Sequence, residues 1–350
     1  LHNCSTNHDG CSGQELEGRE LPTRLVEVRK EDLSTKARLV KGSGFHHTIR
    51  YVTLSYRWSQ SPSLQLRTDT MSMLTDNIPL SELRELFRNV FEVVLQLGCA
   101  YVWIDALCIV QDSQEDWEHE ARLMARVYEF AYCNIAAAAT TDSAPTLFGV
   151  RTSYPPKPLA VRLDLQLGDD SFTGSYHLED PNFWSTRVIL SALSKRGWVV
   201  QERFFSPRIL HFSYDQVIWE CQELKASETF PDGAIPEYQT YGPEFAFRHS
   251  NEVSRLDVED SYDTIIEAWE ATRSAYSSTA LTYPTDKLFA ISGIVKWFEV
   301  ILKDENVAGL WRKTLVTDLL WFRDGVITTN LRTHGRAPSW SWACLDDETH

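Results

Sequence analysis

The clearest hydrophobic patterning lies between residues 51 and 139. Tyr51-Val-Thr-Leu-Ser-Tyr56 is β-branched and aromatic without a helical period, and it predicts the first strong strand. A short extended segment precedes it at Thr23–Val28, and the polar residues 1–20 read as a loose lead-in. From Ser59 to Asn77, Ser, Thr, Pro and Asp predominate, which predicts a loop or small hairpin. Leu83, Leu86, Phe87, Val90, Val94 and Leu97 then recur at helical spacing, predicting a helix from about Ser81 to Leu97 that Gly98 stops. The nearly unbroken apolar run Tyr101–Val110 suits a strand buried on both faces of a parallel sheet. A helix over about Asp116–Ala131 and a strand at Asn134–Ala139 complete a βαβαβ rhythm, the signature of an open α/β sheet with right-handed crossovers.

Beyond residue 145 the pattern changes. Residues 158–178 alternate weakly, as antiparallel strands do, and Trp198–Glu202 and Arg208–Trp219 are also strand-like. Ser261–Ser277 and Asp286–Leu302 carry helical spacing. There is no internal repeat and no long Pro- or Gly-rich linker. The expected organisation is a lead-in over 1–45, an α/β core over 46–150, and a mixed α+β portion over 151–350 packed on that core as part of the same unit.

Composition narrows the functional classes. Twelve Trp, spread from Trp58 to Trp342 among 350 residues, predict burial over most of the length. The formal net charge of −15 disfavours partners with phosphate backbones or anionic lipid surfaces, so neither nucleic acid nor membrane is expected, although a local basic pocket for a small anion fits. Seven scattered Cys, three of them in or beside apolar runs (Cys99, Cys108, Cys133), argue against a disulfide framework and for a reducing compartment, the cytoplasm. No stretch has the apolar length of a membrane span, and no signal-peptide core opens the chain.

The most informative segment chemically is Asp116-Trp-Glu-His-Glu-Ala-Arg-Leu-Met-Ala-Arg-Val-Tyr128. At helical period Trp117, Ala121, Met124, Val127, Tyr128 and Ala131 share one face, and Glu120 falls inside that apolar stripe. A buried carboxylate needs a partner, and burial raises its pKa towards the range useful for acid or base work. Glu120 therefore either ties down a neighbouring loop through backbone N–H groups or acts in catalysis. Asp105 interrupts an apolar run and poses the same alternative. Ser55 and Tyr56 end the first strand and Arg57 and Trp58 follow it, towards the edge where open α/β sheets bind ligands. Together with Asp105, Glu120 and Trp117 they could hold a nucleotide, with an aromatic ring stacked on a base, Arg57 on phosphate and carboxylates on ribose hydroxyls. The alternative for Tyr56, Trp58 and Trp117 is a place in the core. His2, Cys4, His8 and Cys11 are weak zinc candidates that lack the CxxC pairing of closed sites. Cys108 reads as an inert buried thiol. Signatures of the common dinucleotide, P-loop, zincin and serine-hydrolase sites do not occur.

These segments together resemble the fungal heterokaryon-incompatibility (HET) domain family. The resemblance rests on Tyr51-Val-Thr-Leu-Ser-Tyr-Arg-Trp58, Tyr101-Val-Trp-Ile-Asp-Ala-Leu-Cys-Ile-Val-Gln111 and Asp116-Trp-Glu-His-Glu-Ala-Arg-Leu-Met124 leading to Val127-Tyr128. It extends to Leu21-Pro-Thr-Arg-Leu25, Arg196-Gly-Trp-Val-Val-Gln-Glu-Arg203, Asp286-Lys-Leu-Phe-Ala-Ile-Ser-Gly293 and Pro338-Ser-Trp-Ser-Trp-Ala343. The family commonly has Gly after the first Trp and Ser before the Leu-Cys pair, where this chain has Ser59 and Ala106. The resemblance implies a role in non-self recognition and cell death, and a TIR/flavodoxin-like core. By analogy with TIR domains that cleave NAD, it implies an NAD glycohydrolase with Glu120 as the catalytic carboxylate, no cofactor or metal required, and NAD as substrate. The alternative it carries is a non-enzymatic signalling module that assembles with itself or with another incompatibility protein.

Overall fold

One eight-stranded sheet organises the chain. Its strands are β1 (Arg24–Glu31), β2 (Ser34–Lys41), β3 (Tyr51–Ser55), β4 (Tyr101–Trp103) and β5 (Cys133–Ala136); after a separate hairpin, β6 (Leu159–Leu167) with β7 (Asp170–Leu178), come β8 (Arg208–Phe212), β9 (Val217–Cys221) and β10 (Lys225–Ser227). The order is β10-β9-β8-β5-β3-β4-β1-β2. The central strands β8, β5, β3 and β4 run parallel, and antiparallel strands extend the sheet at both ends. This computed structural model describes residues 1–9, 11, 20–45, 49–58, 63–149, 159–168, 170–178, 180–233, 258–322 and 336–345. Ser59 lies outside them.

The helices are α1 (His2–Asn7), α2 (Met71–Asp76), α3 (Glu85–Gln96), α4 (Asp105–Cys108), α5 (Gln114–Glu129), α6 (Gly197–Phe205), α7 (Val258–Ser277), α8 (Lys287–Ala290) and α9 (Ser292–Leu302). The chain passes from β3 to β4 in one direction across the sheet and from β4 back to β5 in the other. Right-handed crossovers then place α3 and α5 on opposite faces, and every residue of β3 is buried. Gly98 ends the α3 region at φ +69°, a conformation glycine adopts without a Cβ penalty. Among the described residues no helix is long and apolar enough to cross a membrane.

The expected α/β architecture with a mixed C-terminal portion is what the chain forms, with four local corrections. The apolar run 101–110 is strand only to Trp103, after which Asp105–Cys108 makes a helical turn. Ile104–Val110 are nonetheless almost all buried, so unbroken hydrophobicity there reports burial on all sides and not extended backbone. Trp198–Glu202 belongs to a helix, α6, despite its paired Val residues. Packing between α5 and the C-terminal helices outweighs the weak local preference. The segment expected as loop or hairpin contains α2, whose Leu74 is buried, and the lead-in contains α1, whose Cys4 is buried.

A second core joins α6 to α7 and α9 around Trp269, Phe298, Trp311 and Trp342. It docks on the sheet through α5. Gly293 of α9 donates its N–H to Gln201 Oε1 of α6 at 2.8 Å, and a Cβ at Gly293 would lie 2.7 Å from Ala125 Cβ of α5. The two halves therefore meet at a contact that admits only glycine.

Candidate active site

The carboxyl edge of the parallel strands, where β3 sends its crossover one way and its neighbour β5 leads the other way, is the crevice in which open α/β sheets bind ligands. Ser55 ends β3 there with its Oγ buried. It accepts a hydrogen bond from Asn134 Nδ2 of β5 at 2.9 Å, and Thr53 donates to Asn134 Oδ1 at 3.1 Å. This ladder of small polar side chains fixes the Ser55 hydroxyl between two strands. Tyr56 follows, buried, its ring edge-on to Phe87 at 5.2 Å and under the Arg84 guanidinium. Burial, and then the charge of Asp105, hold its hydroxyl protonated well above the usual range.

Asp105 starts the helical turn after β4. Its Oδ1 accepts the Ala106 N–H at 2.7 Å and its Oδ2 accepts the indole N–H of Trp58 at 2.7 Å. Trp58 is 39% exposed, so Asp105 fixes a large aromatic face at the rim. Exposed Arg57 lies beside it, and Arg196 donates to the Tyr56 carbonyl from the start of α6. Ser55, Tyr56, Arg57, Trp58 and Asp105 thus lie together at this edge.

A residue that the sequence reading passed over completes the cluster. Glu202 of α6 is 4% exposed, and its Oε2 has no hydrogen-bond partner among the described residues. Burial pushes its pKa up to about 7; Arg196 and the Ser55 and Tyr128 hydroxyls oppose the rise, and Asp105 adds to it. The signal that marked Glu120, a carboxylate inside an apolar run, was also present in Gly197-Trp-Val-Val-Gln-Glu202. Read as an extended run, that segment defines no single helical face, so Glu202 does not stand out there.

Glu120 and Trp117 go elsewhere. Glu120 is buried on α5 and its Oε1 accepts from Arg24 Nη2 at 3.3 Å, leaving Oε2 without a partner. Burial raises its pKa. The same Arg24 pairs with Asp116 and donates from Nε to the Cys108 carbonyl at 2.9 Å, while Asp116 Oδ2 accepts the Val110 N–H. Arg24 is therefore a tie between β1, the α4–α5 loop and α5. Trp117 packs edge-on against Trp198 and Phe289 at the joint between the two halves. Cys108 is buried with its thiol pushed up to about 12, which keeps it protonated and unreactive. Another ionic group, Arg203 bidentate on Glu220 with His211 Nε2 at 2.8 Å, is closed on itself.

Residues 51–202 match the family model described as Heterokaryon incompatibility protein (HET). Over that segment the chain is similar to the HET family. No curated protein and no solved structure matches the chain. The HET segment begins at the first residue of β3 and ends at Glu202, so every member of the cluster at the sheet edge lies within it. The match supports a role in fungal heterokaryon incompatibility. Strands β1 and β2 before the HET segment, and β8 to β10 after it, complete the same sheet.

Proposed function

We propose that the carboxyl edge of the HET sheet is a nucleotide site that hydrolyses NAD at the nicotinamide–ribose bond, with cell death as the outcome. The observation that carries this reading is Glu202: a buried carboxylate with one free oxygen and a pKa near 7, close to the Asp105 that fixes the Trp58 indole. Nicotinamide leaves with the electron pair of the C–N bond and becomes neutral, while positive charge develops on the ribose ring. An ionised Glu202 stabilises that cation, and it can take the proton lost by the water that attacks the anomeric carbon. In a site closed to solvent such a carboxylate acts far more strongly than in water. Trp58 offers a stacking face for a ring, and Arg57, Arg84 and Arg196 surround the end of β3 with charge suited to a pyrophosphate. No metal has a part in this scheme.

Nicotinamide release by the purified chain, compared among wild type, Glu202→Gln and Glu120→Gln, tests the reading. Loss in Glu202→Gln with retention in Glu120→Gln supports the assignment. Loss only in Glu120→Gln moves the chemistry to the Arg24 side of the same edge.

One feature favours the non-enzymatic reading. On the β6–β7 hairpin, Leu163, Leu165, Leu167, Phe172, Tyr176 and Leu178 are exposed and project from one face, with Arg162, Asp164, Thr173 and His177 on the other. Such an apolar face fits self-association or docking of another incompatibility protein. Absence of nicotinamide release, together with assembly abolished by Leu165→Asp, would establish that reading in place of the enzyme.

A further inference from the structure

At the opposite, amino edge of the parallel strands, two distant pieces of chain bring four metal-ligating side chains together. Cys4 lies on α1, and His8 follows four residues later at its carboxyl end, one helical turn along the same side. The chain then turns back, with the Cys11 N–H donating to the His8 carbonyl at 3.1 Å, and Cys11 comes round to the same point. The fourth member, Cys221, closes strand β9 opposite Arg208 of β8. One ligand atom from each of Cys4, His8, Cys11 and Cys221 lies within 4.8 Å of all the others, and His8 Nδ1 is 3.4 Å from Cys221 Sγ. All three thiols are buried, and Trp219 and Leu224 pack against them. His2, exposed, is outside the group.

We propose that Cys4, His8, Cys11 and Cys221 form a closed structural zinc site. The set is three thiolates and one imidazole, the composition of one of the common structural zinc centres. With Zn–S about 2.3 Å and Zn–N about 2.0 to 2.1 Å, a tetrahedron has edges of about 3.4 to 3.8 Å. The four donors therefore need to close by about 1 Å at most from their present spacing. All four positions are taken by protein, so the ion holds structure and offers no place to a substrate. Soft thiolates with no carboxylate among the donors select zinc over calcium or magnesium.

Charge balance supports the assignment. Three thiolates, a neutral imidazole and a divalent ion leave one net negative charge in a buried place, which needs a counter-charge. Arg208 provides it. Its guanidinium is buried, donates from Nη2 to the Cys11 carbonyl at 2.6 Å, and reaches the Tyr132 carbonyl from Nη1 at 3.3 Å. The bland alternative, three thiols acting only as small apolar side chains, does not account for an imidazole nitrogen aimed into their midst. The ion would tie the first residues of the chain to a strand some 210 positions later, clamping the antiparallel end of the sheet. All four ligands lie outside residues 51–202, so the clamp lies outside the HET segment.

The test is zinc content of the intact chain purified under reducing conditions without chelator, followed by exchange with cobalt(II). The site predicts about one zinc per chain. Cobalt should give the sulfur-to-metal charge-transfer absorption and intense visible bands of a tetrahedral thiolate centre. Cys221→Ser and His8→Ala should each lose most of the metal, and a strong chelator should lower the melting temperature of wild type but not that of either variant. The wild-type metal content and cobalt spectrum do not depend on any variant folding. Folded, reduced wild type that retains less than about a tenth of an equivalent after incubation with zinc would overturn the proposal. So would a Cys221→Ser variant holding as much zinc as wild type, or an intact mass showing a disulfide among the three cysteines.

Discussion

Replacing Glu202 by Gln removes the ionisation of a buried group while keeping its shape, and the consequence for stability can be worked out. The native value of about 7 lies above the ordinary 4.5, so the folded protein holds this proton more tightly than the unfolded chain does. Stability from the group is then complete below about pH 4.5 and is lost as pH rises through about 7. At about 1.4 kcal/mol for each pH unit between the two values, the loss is about 3 kcal/mol in all. Most of it falls between about pH 5 and about pH 8. Gln cannot ionise, so the stability of the variant relative to wild type should improve by about that amount across the interval. Urea unfolding of both proteins at the two pH values gives the double difference, in which other titrating groups cancel. A relative stability that changes by less than about 0.5 kcal/mol would refute the claim that burial of the Glu202 charge outweighs the compensation from Arg196. The gain at high pH should coincide with loss of nicotinamide release, because the same buried charge serves both.

Further outcomes follow from the same geometry. Nicotinamide release by wild type should fall on the acid side of about pH 7, as protonation of Glu202 removes the stabilising charge; a profile flat down to about pH 5 would exclude it from that role. Trp58→Ala should raise KM for NAD with a stability change within about 1 kcal/mol, since the indole is part-exposed and its N–H donates to Asp105 at the surface. Arg24→Ala should destabilise the fold by about 3 to 5 kcal/mol in chemical unfolding, because it strands Glu120 and frees Asp116 and the Cys108 carbonyl together. Gly293→Ala should cost about 1 to 3 kcal/mol by forcing α9 away from Ala125 and Gln201, with the change visible in the near-ultraviolet dichroism of the Trp-rich joint.

Local periodicity in the sequence determined the βαβαβ centre, because α3 and α5 each bury a continuous stripe and β3 is buried on both sides. It also located the carboxyl edge of β3 and the group Ser55, Tyr56, Arg57, Trp58 and Asp105, since strand ends follow from element boundaries. Wherever an apolar run was buried on every side, the pattern lost its power to tell helix from strand. That is why Tyr101–Val110 and Trp198–Glu202 read as extended although they hold α4 and most of α6's first turns, and why Glu202 does not stand out in the sequence. The two buried glutamates look alike in sequence, each a carboxylate among apolar neighbours. Only tertiary contacts separate them: Arg24, arriving from β1, forms an ion pair with Oε1 of Glu120, whereas at Glu202 burial outweighs the nearby Arg196 and holds the pKa up at about 7. The same holds for Cys4, His8 and Cys11, a weak triplet until β9 brings Cys221 to it. Periodicity is a property of neighbours within a few turns, whereas charge compensation and metal geometry depend on groups that folding alone brings together across one to two hundred residues.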